Sequence, residues 1–212
     1  MERKEVSKSV LKRLPLYLAY LKNMPDGSPA HISATALANA LGMGEVQVRK
    51  DLAMVSDGGR PKIGYLREHL MDDISQFLGY DNTTDAIIVG AGKLGQALLD
   101  YSGFEAYGLN ILAAFDIKPA SPCTDGGKPI LPVEQMEKFC RTNKVLMGII
   151  TVPALYAQQV CDQLIACGIK AIWSFAPAHL EVPGNILVQY ENMATSFAVL
   201  SMHLQAQMKE KK

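Results

Sequence analysis

Two kinds of hydrophobic spacing alternate along the chain. From Ser9 to Leu21 apolar and polar residues repeat at near-helical intervals, predicting one helix with Pro15 near its start or at a bend. Met24 to Pro29 is loop. Ser33 is a good N-cap for an alanine- and leucine-rich helix over Ala34–Leu41, Gly42-Met43-Gly44 breaks the chain, and a third helix runs from Glu45 to about Met54. Helix, short glycine turn, helix is the helix-turn-helix layout. In the third helix Val46, Leu52 and Val55 are expected to face a core, leaving Gln47, Arg49 and Lys50 exposed. An amphipathic stretch, Leu66 to Leu78, closes this region with Glu68, Asp72 and Asp73 on its polar side.

After a joint at Gly79–Thr83 the pattern changes. Short continuous apolar runs (Asp85–Val89, Leu109–Phe115, Val145–Ile150, Lys170–Phe175 and Ile186–Gln189) have the length of buried parallel strands. Between them lie helical segments after Gly95, from Pro132-Val133-Glu134, and over Ala154–Cys167 with Gly168 as its stop; Pro119–Pro132 reads as a surface loop. Such alternation predicts an α/β fold built on a parallel sheet. The last stretch, Glu191 to Met208, carries Met193, Phe197, Leu200 and Leu204 on one helical stripe, which packs either on its own domain or on a partner subunit. The expected division is 1–80 as a winged-helix DNA-binding domain, 81–190 as a Rossmann domain and 191–212 as a C-terminal dimerisation helix. Within the first, the helix-turn-helix covers about 17–56 and the wing about 57–65.

The chemistry centres on Gly90-Ala91-Gly92-Lys93-Leu94-Gly95, which fits G-x-G-x-x-G between a strand and a helix. Gly90 permits the tight turn, Gly92 lets a pyrophosphate approach the backbone, and Gly95 lets the helix pack closely on the sheet. The second apolar run ends in Asp116, 21 residues after Gly95, where a carboxylate bonds the ribose hydroxyls of an adenosine. A carboxylate there repels a 2′-phosphate and favours NAD(H) over NADP(H). Ile117 and Lys118 follow it, and Lys118 weakens that preference. Thr151, Val152 and Pro153 fall at the carboxyl end of the third strand, the edge at which such sheets bind ligands.

In the N-terminal region Arg49 can read guanine, Gln47 adenine, and Lys50 can neutralise phosphate. Ser56–Tyr65 is a glycine-rich basic loop whose tip carries Arg60 and Lys62, as a DNA-contacting wing requires. Formal charge is zero over 212 residues, yet residues 1–66 hold ten Lys/Arg against six Asp/Glu. That modest excess permits an acidic partner without demanding one. Cys123, Cys140, Cys161 and Cys167 show no C-x-x-C, and no histidines cluster to suggest zinc. A charged N-terminus and the lack of any apolar run near about 18 residues point to a cytoplasmic protein without a membrane span. A dehydrogenase would need a proton donor at the nicotinamide, and His31, His69, His179 and His203 offer no such constellation. A regulator, not an enzyme, is expected; a CoA-type nucleotide remains the alternative effector.

The stretches KRLPLYLAYL, VQVRKDL, GRPKIGY, VGAGKLGQALLDYSGF, AAFD, TVPA and FAPAHLEVP, in this order, resemble the Rex redox-sensing transcriptional repressors across nearly the whole chain. The resemblance implies a homodimer of winged-helix and Rossmann domains with an exchanged C-terminal helix. It implies binding to an inverted-repeat operator DNA when NAD⁺ dominates and release when NADH rises. By matched motif, Arg49, Lys50, Arg60 and Lys62 would contact DNA. Gly90, Gly92, Gly95, Asp116 and Thr151–Pro153 would hold the cofactor, Tyr101 would lie near the nicotinamide, and Arg13 would link the domains. This chain departs from the family pattern at Asn192, where many members have Asp, at Met193, where Phe is common, at Ser174, where Asn is common, and in the segment DLAMVSDGG, which lacks an aromatic residue.

Overall fold

The computed structural model describes residues 6–210. The chain forms two compact units that divide between Asn82 and Thr83.

In the first unit α1 (Lys8–Lys22) begins at Ser7, whose hydroxyl accepts the Val10 N–H at 3.4 Å, and keeps Pro15 inside the helix. Leu14, Tyr17, Leu18 and Leu21, spaced three, one and three apart, are fully buried and form its core stripe. β1 (His31–Ile32) leads to α2 (Ala34–Leu41), where Ser33 Oγ accepts the Ala36 N–H at 3.0 Å and Gly42, at φ +62°, ends the helix. α3 (Glu45–Val55) follows, then β2 (Tyr65–Leu66) and α4 (Arg67–Leu78). β1 and β2 pair antiparallel, His31 opposite Leu66 and Ile32 opposite Tyr65, so the chain between α3 and β2 projects as a loop anchored at its base. Gly64 makes that anchoring possible: it lies at φ +88°, and a Cβ there would stand 2.3 Å from the Ile32 carbonyl oxygen.

α3 differs from expectation on one side. Its buried residues are Val48, Asp51 and Leu52, while Val46 is 64% exposed. At about 100° per residue Val46 lies about 160° from Val48 and about 120° from Leu52 around the helix, so it points away from the face they bury.

The second unit is a six-stranded, wholly parallel sheet in the order β5-β4-β3-β6-β7-β8. The strands are β3 (Thr84–Val89), β4 (Leu109–Asp116), β5 (Ile130–Pro132), β6 (Met147–Ile150), β7 (Ala171–Ser174) and β8 (Leu187–Tyr190). Numbered within the unit this is 3-2-1-4-5-6, the doubly wound order whose reversal lies between β3 and β6. Ile87, Val89, Phe115 and Ile150 face a core with α6 (Met136–Asn143) and α7 (Ala154–Ala166); Ala86, Ile88 and Ile149 face the other side with Leu99 of α5 (Lys93–Leu99). A register shift in the β3–β4 pairing between Ala86 and Ile87 puts Ile111 in one core and Ala113 in the other. The segment expected as a helix from Pro132 begins instead with a 3₁₀ turn, Val133–Gln135, before α6.

α8 (Met193–Glu210) follows β8. The Asn192 side-chain oxygen accepts the Thr195 N–H at 3.2 Å and so caps its first turn. Met193, Phe197, Leu200 and Leu204 are all exposed, so among the described residues the stripe stands largely uncovered. Among the described residues no helix is long and apolar enough to cross a membrane.

Candidate functional site

At the reversal point of the sheet the three motif glycines have distinct surroundings. Gly90 turns out of β3 at φ +103°, and a Cβ there would lie 2.9 Å from Val152 Cγ1 and 3.0 Å from the Thr151 backbone. At Gly95 a Cβ would lie 2.0 Å from the Gly90 carbonyl oxygen, so α5 approaches the turn as closely as backbone allows. Gly92 has nothing within 4 Å of such a Cβ. It is also the N-cap of α5 without a side-chain bond, so the first amides of the helix border open space. Close packing at two glycines and a bare backbone at the third is what a phosphate-binding turn requires.

Neighbouring strands brace the turn. Thr151 Oγ1 donates to the Gly90 carbonyl at 2.7 Å, and Thr151 N donates to Val89 O at 3.0 Å. From the other side Asp116 Oδ2 accepts the Ala91 N–H at 2.8 Å, while Oδ1 accepts the Lys118 N–H at 2.9 Å. Gln96 Nε2 donates to the Ala91 carbonyl at 2.7 Å, a brace the motif does not reveal. Val152 and Pro153 lie between β6 and α7, with Pro153 as the α7 N-cap; Lys93 and Leu94 open α5, and Ile117 is 83% exposed just beyond β4. These residues could hold a dinucleotide: Gly92 would meet the pyrophosphate and Asp116, whose carboxylate keeps lone pairs free, a ribose.

Tyr101 stands at the far end of α5, half exposed, its ring edge-on to Phe104 at 4.9 Å. Phe104 meets Trp173 at 5.7 Å, and the Trp173 indole N–H donates to Glu191 at 3.0 Å, beside the head of α8. An aromatic path therefore runs from Tyr101 to the residue before Asn192. Ser174 is fully buried and its hydroxyl has no partner among the described residues.

In the first unit Gln47, Arg49 and Lys50 are exposed on α3. Arg49 forms an i,i+4 ion pair with Glu45. Arg49 is largely and Glu45 partly in solvent, so the pair is worth under about 1 kcal/mol. Arg60 and Lys62 are exposed in the loop, where Arg60 and Gly64 bond each other's backbone at 2.9 Å and Lys62 sits at φ +66° on the tip. Arg13 lies in this unit too, bonded to Asp51 through Nε at 2.7 Å and Nη2 at 2.9 Å, while Tyr17 donates to Asp51 at 2.7 Å. Asp51 raises the Arg13 pKa above its ordinary value, chiefly through these bonds, and burial pushes the Tyr17 hydroxyl up to about 12. Asp51 has no sequence signature as a functional group, because its partners are 34 and 38 residues away.

Of the four cysteines, Cys123 is exposed, Cys140 and Cys161 are buried and Cys167 is partly buried. Burial pushes the Cys140 thiol up to about 12, as an unreactive structural thiol requires.

A winged helix followed by a dinucleotide-type Rossmann unit defines a class of proteins that joins a DNA-binding module to a nucleotide sensor. Residues 5–53 match the family model described as "Putative DNA-binding protein N-terminus", and residues 81–178 match the "CoA binding domain". Over 197 residues the chain is 37% identical to the redox-sensing transcriptional repressor Rex of Porphyromonas gingivalis, covering 92% of this chain and 90% of that one. The corresponding protein of Clostridium beijerinckii is 38% identical, covering 94% and 95%. The solved structure of RSP with β-NAD⁺ and operator DNA superposes with a TM-score of 0.87 at 34% identity, covering 98% of this chain and 96% of that one. RSP with β-NADH gives 0.85 at 34% identity, covering 99% and 100%. The chain belongs to the Rex family of redox-sensing transcriptional repressors, a family of regulators and not of enzymes.

Proposed function

We propose that this protein represses transcription in the cytoplasm as a homodimer that binds an inverted-repeat operator and lets go when NADH replaces NAD⁺ in the Rossmann unit. The carrying observation is the bare backbone at Gly92 beside the Asp116 carboxylate, a dinucleotide cradle in the same chain as a winged helix with exposed Gln47, Arg49, Lys50, Arg60 and Lys62. RSP, its relative of known structure, was solved with both NAD⁺ and operator DNA, and with NADH. The unpartnered stripe of α8 supports the dimer, since about 25 cal/mol per Å² of apolar surface favours covering it. NADH must favour the DNA-incompetent state more than NAD⁺ does, because a ligand of equal affinity for both states shifts nothing.

The test is anisotropy of labelled inverted-repeat DNA with the purified protein, titrated with NADH at fixed NAD⁺, and in parallel with CoA. Release by NADH alone supports the proposal. DNA binding indifferent to both nicotinamide cofactors, or released by CoA instead, sinks it.

A further inference from the structure

The hydrogen bonds around Arg13 restrict what Gln47 can read. Two arms of the guanidinium, Nε and Nη2, hold Asp51, which is nearly buried and fixed again by Tyr17. The third arm, Nη1, meets the Gln47 amide: with its oxygen turned inward, Gln47 accepts from Nη1 at 2.8 Å and shares Nε at 3.2 Å. The opposite setting would place an NH₂ against a group that has only donors. The Gln47 oxygen is therefore committed before any DNA arrives. Gln47 itself is exposed in the first turn of α3, the part of a recognition helix that meets base edges.

A glutamine with both ends free reads adenine by accepting from N6 and donating to N7, as the sequence leads one to expect. With that oxygen on Arg13, the NH₂ is the end of the amide left to meet a base. Resting on the DNA-binding reading above, we propose that Arg13 makes Gln47 a donor-only reader that selects guanine, whose N7 and O6 are both acceptors, and rejects adenine, whose N6 amino group opposes the amide NH₂. Gln47 is then the specificity-determining residue and Arg13 its positioning residue.

Selection from a library of randomised inverted-repeat DNA, using the full-length protein, tests this. The wild type should take guanine at one position of each half-site, and Gln47→Ala, at an exposed site, should lose that preference by about 5- to 10-fold at that position alone. Gln47→Glu keeps one oxygen on Arg13 and turns the other outward, so the preference should move to cytosine, whose N4 donates. Arg13→Lys still gives Asp51 a cation but no planar second arm; adenine should become acceptable at the same position, whereas a merely structural Arg13 would weaken all positions alike. Adenine at the Gln47-dependent position of the wild type overturns the inference, as does a Gln47→Ala selection identical to the wild type. A wild type that selects no sequence overturns the DNA-binding reading, and this inference with it.

Discussion

The carboxylate of Asp116 holds the backbone N–H of Ala91 at 2.8 Å, tying the end of β4 to the glycine turn that leaves β3. The group proposed for ribose recognition thus also fixes the glycine turn proposed for the phosphates. Asp116→Ala removes a charged acceptor from both, and a hydrogen bond to a charged group is worth about 1.5–3 kcal/mol. We expect NADH affinity to fall by about 10- to 100-fold, and NADP(H), no longer repelled at its 2′-phosphate, to lose less. Calorimetric titration of both cofactors checks this; an unchanged NADH affinity would remove Asp116 from the cradle.

Two glycines of the motif separate folding from binding. A methyl at Gly92 meets nothing within 4 Å, so Gly92→Ala should leave the melting temperature within a degree or two while weakening NADH by about tenfold or more, because the methyl occupies the phosphate's approach. A methyl at Gly95 lies 2.0 Å from the Gly90 carbonyl, backbone that cannot step aside cheaply. Gly95→Ala should lose both cofactor affinity and several degrees of stability in calorimetry. Equal melting temperatures for the two variants would contradict the packing described.

These differences explain what could be read from sequence. Glycines at G-x-G-x-x-G and an acid at the end of the next strand are dictated by backbone geometry within a short stretch, so the turn and Asp116 are legible there. Ser33 as a cap and the breaks at Gly42 and Gly168 are likewise local. α3 is different. Its buried face includes an aspartate, so hydrophobicity alone finds Leu52 and Val55 but also places Val46 inside. Asp51 is tolerated in the core because Arg13 and Tyr17 satisfy it, and both come from α1, far along the chain. The hold of Arg13 on Gln47 is hidden for the same reason.

The Arg13–Asp51–Tyr17 cluster should dominate the stability of the N-terminal unit. Asp51→Ala leaves a largely buried guanidinium without its carboxylate, and breaking such a pair costs about 3–5 kcal/mol. Tyr17→Phe removes one bond to a charged group and should cost less, about 1.5–3 kcal/mol. Urea denaturation of the three proteins orders them; Asp51→Ala as stable as the wild type would show the cluster to be incidental.

The same tyrosine gives a pH signature. Burial, then the bond to Asp51, raises the Tyr17 hydroxyl from its ordinary value near 10 to about 12, so the fold favours the protonated form. Its contribution is fully present below about pH 10 and is lost as pH rises to about 12, because there the unfolded chain has already released the proton that the folded chain still holds. The advantage of the wild type over Tyr17→Phe in urea should therefore be constant up to pH 9 and shrink between pH 10 and pH 12. An advantage that stays constant through pH 12 would show that Tyr17 ionises as it does in the unfolded chain.

The exposed stripe of α8 yields the last expectation. Phe197 is 70% exposed and Leu200 66%, in a helix whose own unit already has a complete sheet. Such a helix gains little in a monomer, where its stability rests on local propensity and the Asn192 cap. In a dimer the burial of two or three large side chains per chain contributes about 1.5–3 kcal/mol each. Replacing Phe197 and Leu200 together with Glu puts charges where a partner surface would have to be apolar, at two positions largely exposed in their own chain. Light scattering should show the wild type as a dimer and the double variant as a folded monomer with its melting transition retained. DNA affinity should fall with it, because a single winged helix engages only one half of an inverted repeat. A double variant that remains a dimer and binds operator DNA as tightly as the wild type would mean that another surface joins the subunits.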